Sequence, residues 1–232
     1  MFKNKLFFWI IALVILILLC KEKGFSAPCY GTHLPREKHF IIGIQNHIIF
    51  RRNLENDFGK LRSIQNFLLL SYGFKDWLSI DLKGGAGYIK QHSLDMQEVD
   101  YSTGFAGGYG FRLRLYDYRN FRVVLGFQHI SVHPKKTSLN GTKNQAILDD
   151  WQGSFLVSYD ISKITPYLGL KYSRIDYIHK QDGQRKRRMS DLTKTIGLVL
   201  GMDFNIDKNI WLNLEGQILD VKAYAVSLNY KF

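Results

Sequence analysis

The feature that most constrains this chain is an alternation of apolar and polar residues, with a period of two, that recurs from about residue 40 to the last residue. In the closing stretch AYAVSLNYKF, Tyr224, Val226, Leu228, Tyr230 and Phe232 are apolar or aromatic, and the residues between them are small or polar. Side chains on a strand point alternately to its two faces, so the pattern predicts strands with one greasy face and one small or charged face. The same rhythm runs through Phe40, Ile42 and Ile44, through Leu78, Ile80 and Leu82, and through Tyr109, Phe111 and Leu113. It returns at Phe121, Val123 and Leu125, at Phe155 and Val157, at Leu168 and Leu170, at Leu198 and Leu200, and at Leu212 and Leu214. With the terminal strand and a less regular one over residues 61–72 the count is about ten, eight being the alternative. No segment in this region combines caps with a period near 3.6, so the chain reads as a single all-β domain spanning residues 39–232.

The connections sort into two kinds. Short ones near Gly73, Tyr116, Asp160 and Asn205 carry Asp, Asn and Lys, as turns require. Longer, charged ones fall at residues 51–60, 91–100, 134–149 and 179–191. Tight turns at one end and long loops at the other are the mark of a transmembrane barrel. Closure also explains a strand that runs to the last residue, because Phe232 then pairs with the first strand and no edge is left open.

The first residues point the same way. A basic head, Met1 to Lys5, precedes the apolar run LFFWIIALVILILL and then Lys21, Glu22 and Lys23. Fourteen apolar residues suit the core of an export signal better than a span of about 20. Residues 1–27 are read as that signal, with GFSA before the cut, and 28–38 as a periplasmic N-terminal segment. An uncleaved anchor and a lipidated Cys20 are the alternatives, although Leu19 stands where a lipid-attachment motif needs a small residue. With the signal removed, Cys29 is alone and no internal disulfide can form.

Which face meets water decides the compartment. The polar face carries Asp81, Lys83, Arg112, Arg114, Arg122, Lys171, Asp203 and Glu215 together with many glycines, and burying that set in a soluble core requires every charge to be paired. A soluble, lipocalin-like barrel turns these residues outward; a membrane barrel turns them into its lumen. Export, aromatic residues near segment ends and the glycines favour the second. In the lumen the charges either pair into a plug or line a narrow path.

The ending SLNYKF, aromatic-x-aromatic closing on Phe232, resembles the terminal signature of bacterial outer-membrane barrels, and PYLGLKYSRIDY and GMDFNIDKNIWLNLEG resemble small OmpA-like and opacity-porin-like barrels. The resemblance implies location in the bacterial outer membrane, contact with its lipid and lipopolysaccharide, and recognition of Tyr230 and Phe232 by the barrel-insertion machinery. It says little of the activity, since such barrels include adhesins, structural anchors and narrow pores; the function is read as a structural or surface-interaction role, with a narrow pore as a variant.

One stretch points to an enzyme. In FQHISVH, His129 and Ser131 lie two apart on one strand and share its outward face. They resemble the His-x-Ser pair of outer-membrane phospholipases and lipid A deacylases, with Asp149 or Asp150 needed from across a loop, so a lipid hydrolase is the alternative function. The plainer reading is a strand leaving the bilayer. Arg185, Lys186, Arg187 and Arg188 form a basic cluster in an external loop, suited to the phosphates of lipopolysaccharide. No stacking aromatics interleave it, which argues against nucleic acid. The seven histidines lack ligand spacing, and no metal or cofactor is expected.

Overall fold

The computed structural model describes residues 28–55, 59–92, 98–189 and 194–232; the expected export signal lies outside them. Twelve strands form one antiparallel sheet: β1 (Phe40–Asn53), β2 (Lys60–Lys75), β3 (Leu78–His92), β4 (Val99–Tyr118), β5 (Phe121–His133), β6 (Thr137–Leu139), β7 (Thr142–Tyr159), β8 (Ile164–Gln181), β9 (Gln184–Met189), β10 (Ile196–Asn205), β11 (Ile210–Ile218) and β12 (Lys222–Lys231). Ten of them close into a barrel, because β1 pairs with both β2 and β12 and β7 pairs with β8. The Phe232 amide donates to the Phe40 carbonyl at 3.0 Å, so the last residue completes the seam.

The phase expected from the alternation holds through the middle of every wall. Ile44, Leu68, Leu82, Phe111, Phe155, Leu170 and Leu228 lie on the outside, exposed, while Gln45, Asp81, Lys83, Arg112, Gln152 and Glu215 are buried inside. An apolar band on the outside of a closed barrel, with charge within, is the arrangement hydrocarbon selects. Glycine serves close approach on the inner face, as at Gly126, where an added Cβ would stand 2.7 Å from Ser154 Oγ.

Two expectations are corrected. The loops assigned to residues 134–149 and 179–191 are largely strand: β7 begins at Thr142, and β8 and β9 form a hairpin rising beyond the barrel. Asn140 and Gly141 (φ 49° and 81°) and Asp182 and Gly183 (φ 47° and 85°) make the two-residue turns that join β6 to β7 and β8 to β9. The inner face is also not polar throughout. Toward the long-loop end Ile49, Ile89, Tyr101, Ile130, Leu148 and Ile175 pack into an apolar cluster inside the barrel. Above the lipid band the outer face no longer has to be greasy, so the inner one is free to be.

Candidate functional site

The lumen toward the short-turn end is filled by the chain's own first described residues. Of the segment 28–38, residues 28, 29, 31, 32 and 34 are buried within the barrel. Its seat is polar and specific. Pro28 O accepts from Gln128 Nε2 at 2.5 Å and from Lys83 Nζ at 3.4 Å; the Cys29 amide donates to Glu215 Oε1 at 2.8 Å. Gln152 Nε2 donates to Cys29 Sγ at 2.9 Å, and Thr32 Oγ1 to Ser158 Oγ at 2.9 Å. Arg112 Nη1 donates to the carbonyls of Tyr30 at 3.1 Å and His33 at 2.6 Å. Lys83 Nζ also lies 3.9 Å from the centre of the Tyr30 ring.

The eight lumen charges named from the sequence all face inward, and the structure distributes them as follows. Asp81 takes Arg112 in a two-pronged pair, Nε at 2.9 Å and Nη2 at 2.8 Å. Lys171 reaches Asp220 at 3.1 Å, which Arg52 also reaches at 2.9 Å. Glu215 accepts from Tyr167 at 2.9 Å, and Asp203 from Asn213 at 2.7 Å. Arg122 meets Asp160 at 2.8 Å and Arg114 meets Asp117 at 3.1 Å, both at the short-turn rim. Arg52 and Asp220 carried no signal in the sequence, because each lies at a strand end where the alternation stops. Burial pushes the Cys29 thiol up out of its usual range, with the Glu215 carboxylate adding to the effect. Loss of surrounding water, with the nearby Arg122, holds the His33 imidazole down at about 3.

A second cluster lies outside the barrel. His129 and Ser131 face outward as expected, but the two do not form the pair. Ser131 Oγ donates to Asp149 Oδ1 at 2.5 Å and stands 2.7 Å from His133 Nε2, two residues further along β5. His129 lies flat on Trp151, ring centroids 3.9 Å apart, with Nε2 3.9 Å from Asp149 Oδ1. Register explains the meeting: β7 places Asp149 directly across from Ser131, and Trp151 across from His129. Asp150, the other acid considered, faces the lumen and accepts from Ser173. On the other side of Ser131 the row continues through Gly107 and Gly84; neither contributes a side chain, and the exposed ring of Phe105 on β4 lies over Gly107.

Of the basic cluster, Arg185 and Arg187 are exposed on β9, and Arg187 is bonded to Asp176 on β8. Lys186 and Arg188 belong to the same strand. Tyr230 and Phe232 stand edge to face, 4.7 Å between centroids, on the outside of the closing strand. Among the described residues no three His, Cys, Asp or Glu side chains gather to hold a metal.

No family model matches the chain, and no curated protein does. Solved structures it resembles include Ail, the attachment invasion locus protein of Yersinia pestis, at 14% identity over 84% of this chain and 99% of that one, TM-score 0.43. The transport unit of the autotransporter AIDA-I from Escherichia coli is 12% identical over 90% and 94%, TM-score 0.47. The outer membrane protease OmpT from Escherichia coli is 11% identical over 87% and 99%, TM-score 0.43. At such identities the likeness is one of fold.

Proposed function

We propose that this outer-membrane barrel is closed to solutes and acts through its outer surface, as a structural or surface-interaction protein. The observation that carries the reading is the seated N-terminal segment: residues 28–34 occupy the lumen at the short-turn end, and the apolar cluster fills it at the other. A narrow ten-stranded bore is small enough to be filled by side chains alone, and here it holds a strip of main chain as well. The surface partners are outer-leaflet lipid and lipopolysaccharide. Arg185 and Arg187 at the long-loop end offer charge-assisted contacts to phosphate. The insertion machinery that reads Tyr230 and Phe232 is the partner during assembly. Planar-bilayer recording of the purified chain tests the reading: no discrete ion steps are expected, and a stable conductance in the unmodified protein overturns it.

A further inference from the structure

The exterior cluster assembles more than an emerging strand needs. A serine hydroxyl is held at once by an imidazole nitrogen (2.7 Å) and a carboxylate oxygen (2.5 Å), with a second imidazole beside the same carboxylate. Its height on the barrel is set by its neighbours. The outward row just below it holds Tyr109, His129 and Trp151, and below these come Phe111, Phe127 and Leu125, all apolar. The row of Ser131 itself is the first on β5 and β7 to carry a hydroxyl and a carboxylate. That places Ser131 where hydrocarbon gives way to headgroups, which is the depth of the ester bonds of an outer-leaflet lipid.

We propose that Ser131 is the nucleophile, and His133 the general base, of a site on the outside of the barrel that cleaves acyl esters of outer-leaflet lipids. Space for the substrate comes from the glycines. A Cβ added at Gly84 would meet nothing within 4 Å, and one at Gly107 would meet only the Phe105 ring at 2.8 and 3.2 Å and the Lys83 carbonyl at 3.4 Å. An acyl carbonyl can thus lie against the sheet next to Ser131 without displacing backbone once the exposed Phe105 ring turns off Gly107. The Ser131 hydroxyl turns its hydrogen from Asp149 to His133 Nε2, in the tautomer protonated at Nδ1; Oγ then attacks the carbonyl carbon and that proton passes to Nε2. The tetrahedral adduct collapses, the carbon–oxygen bond to the lipid alcohol breaks, and that alcohol leaves with the proton from His133. Water then gives a proton to His133 and attacks the acyl-serine, releasing the fatty acid, while the proton returns to Ser131. Asp149 holds the hydroxyl in place before the reaction and, once the hydroxyl has turned to His133, offsets the charge on the imidazolium. His129, clamped on Trp151, supplies a second imidazole able to donate to the oxygen on which charge develops.

The test uses the purified full chain, folded by the criterion of heat-modifiable migration, in two arms: vesicles of phosphatidylethanolamine and phosphatidylglycerol, and purified lipopolysaccharide. Fatty acid released in either arm is measured by mass spectrometry, and the arm that responds identifies which lipid supplies the ester. A fluorophosphonate probe should form a covalent adduct on Ser131 of the unmodified protein. Ser131→Ala should abolish both signals, and His133→Gln should lower release by about 10²-fold or more. Absence of release together with absence of an adduct overturns the proposal, as does release that survives Ser131→Ala. A collapse in His129→Gln with His133→Gln unaffected overturns the assignment of the base.

Discussion

The seat of the N-terminal segment rests most heavily on one side chain, and its loss can be worked through. Arg112 donates to two carbonyls of the segment, Tyr30 and His33, while its other nitrogens hold Asp81 and Ser71. Hydrogen bonds from a charged donor are worth about 1.5–3 kcal/mol each, so replacing Arg112 by Met weakens the seat by about 3 kcal/mol even at the lower end. At 1.4 kcal/mol per factor of ten, the released segment becomes about 10²-fold more populated. Removing Arg112 alone would strand a fully buried Asp81 at a cost of about 3–5 kcal/mol to the barrel itself. Arg112→Met is therefore combined with Asp81→Asn, which keeps the wall neutral. The readout is the rate at which a small maleimide modifies Cys29, followed by mass spectrometry. In the unmodified protein that thiol is buried and held protonated, so labelling is slow. The double variant should label about 10²-fold faster with its heat-modifiable migration intact. An unchanged labelling rate in a folded double variant refutes the claim that Arg112 holds the segment.

Three further outcomes follow from other parts of the molecule. Leu170→Arg on the lipid face should cost about 2–4 kcal/mol in reversible unfolding from vesicles, whereas Lys180→Ala above the band should be close to neutral. Removal of Phe232 should lower the yield of folded barrel in cells and leave refolding into detergent micelles nearly unchanged, which separates recognition during assembly from stability. His33 lies 5.3 Å from Trp211 between ring centroids, so the change in Trp211 emission that is lost in His33→Gln reports its protonation. With the folded value near 3 and a free value of 6.5, that signal should stay flat from pH 7 to about pH 4.5. The free imidazole takes up a proton before the seated one, so the contribution of His33 to seating is complete above the free value and is lost as pH falls toward the seated one. An inflection near the free value would place His33 in water.

The closed barrel, its ten walls and the outward phase of each were legible because lipid imposes one rule on every strand, and the rule repeats. The hairpins at Asn140–Gly141 and Asp182–Gly183 read from the sequence as loops: Asn-Gly and Asp-Gly are strong local turn signals, but the flanking residues lie above the lipid band and do not alternate there, so the strands on either side give no rhythm. Residues 28–34 gave no such sign. PCYGTHL has no period, and its partners Gln128, Gln152 and Glu215 stand 100 to 186 positions away. The exterior cluster was half legible. The spacing puts His129 and Ser131 on one face, as found, but the same spacing holds for His133, which is the imidazole that meets the hydroxyl; the arrival of Asp149 depends on the register of β5 with β7, which only the length of the intervening hairpin decides.

The net charge acquires a different meaning once the lumen is resolved. Inside the barrel four buried cations, Arg52, Lys83, Arg112 and Lys171, face five buried anions, Asp81, Asp150, Asp203, Glu215 and Asp220. The interior is thus nearly neutral and contributes nothing to the excess of +12 carried by the whole chain. A single-signed interior would attract counter-ions and water and hold the bore open; a balanced one can be drawn together by its own pairs around an inserted segment. Among the described residues the positive charge outside the lumen stands at the two rims and the outward ends of the strands, as with Arg185 and Arg187, where it is solvated and can meet anions. The same balance that suits the proposed plug leaves the unpaired basic side chains on the surface, where the proposed contact with phosphate would use them. The proposed ester cleavage at Ser131 accordingly needs no passage through the bore, because its residues stand on the outer wall.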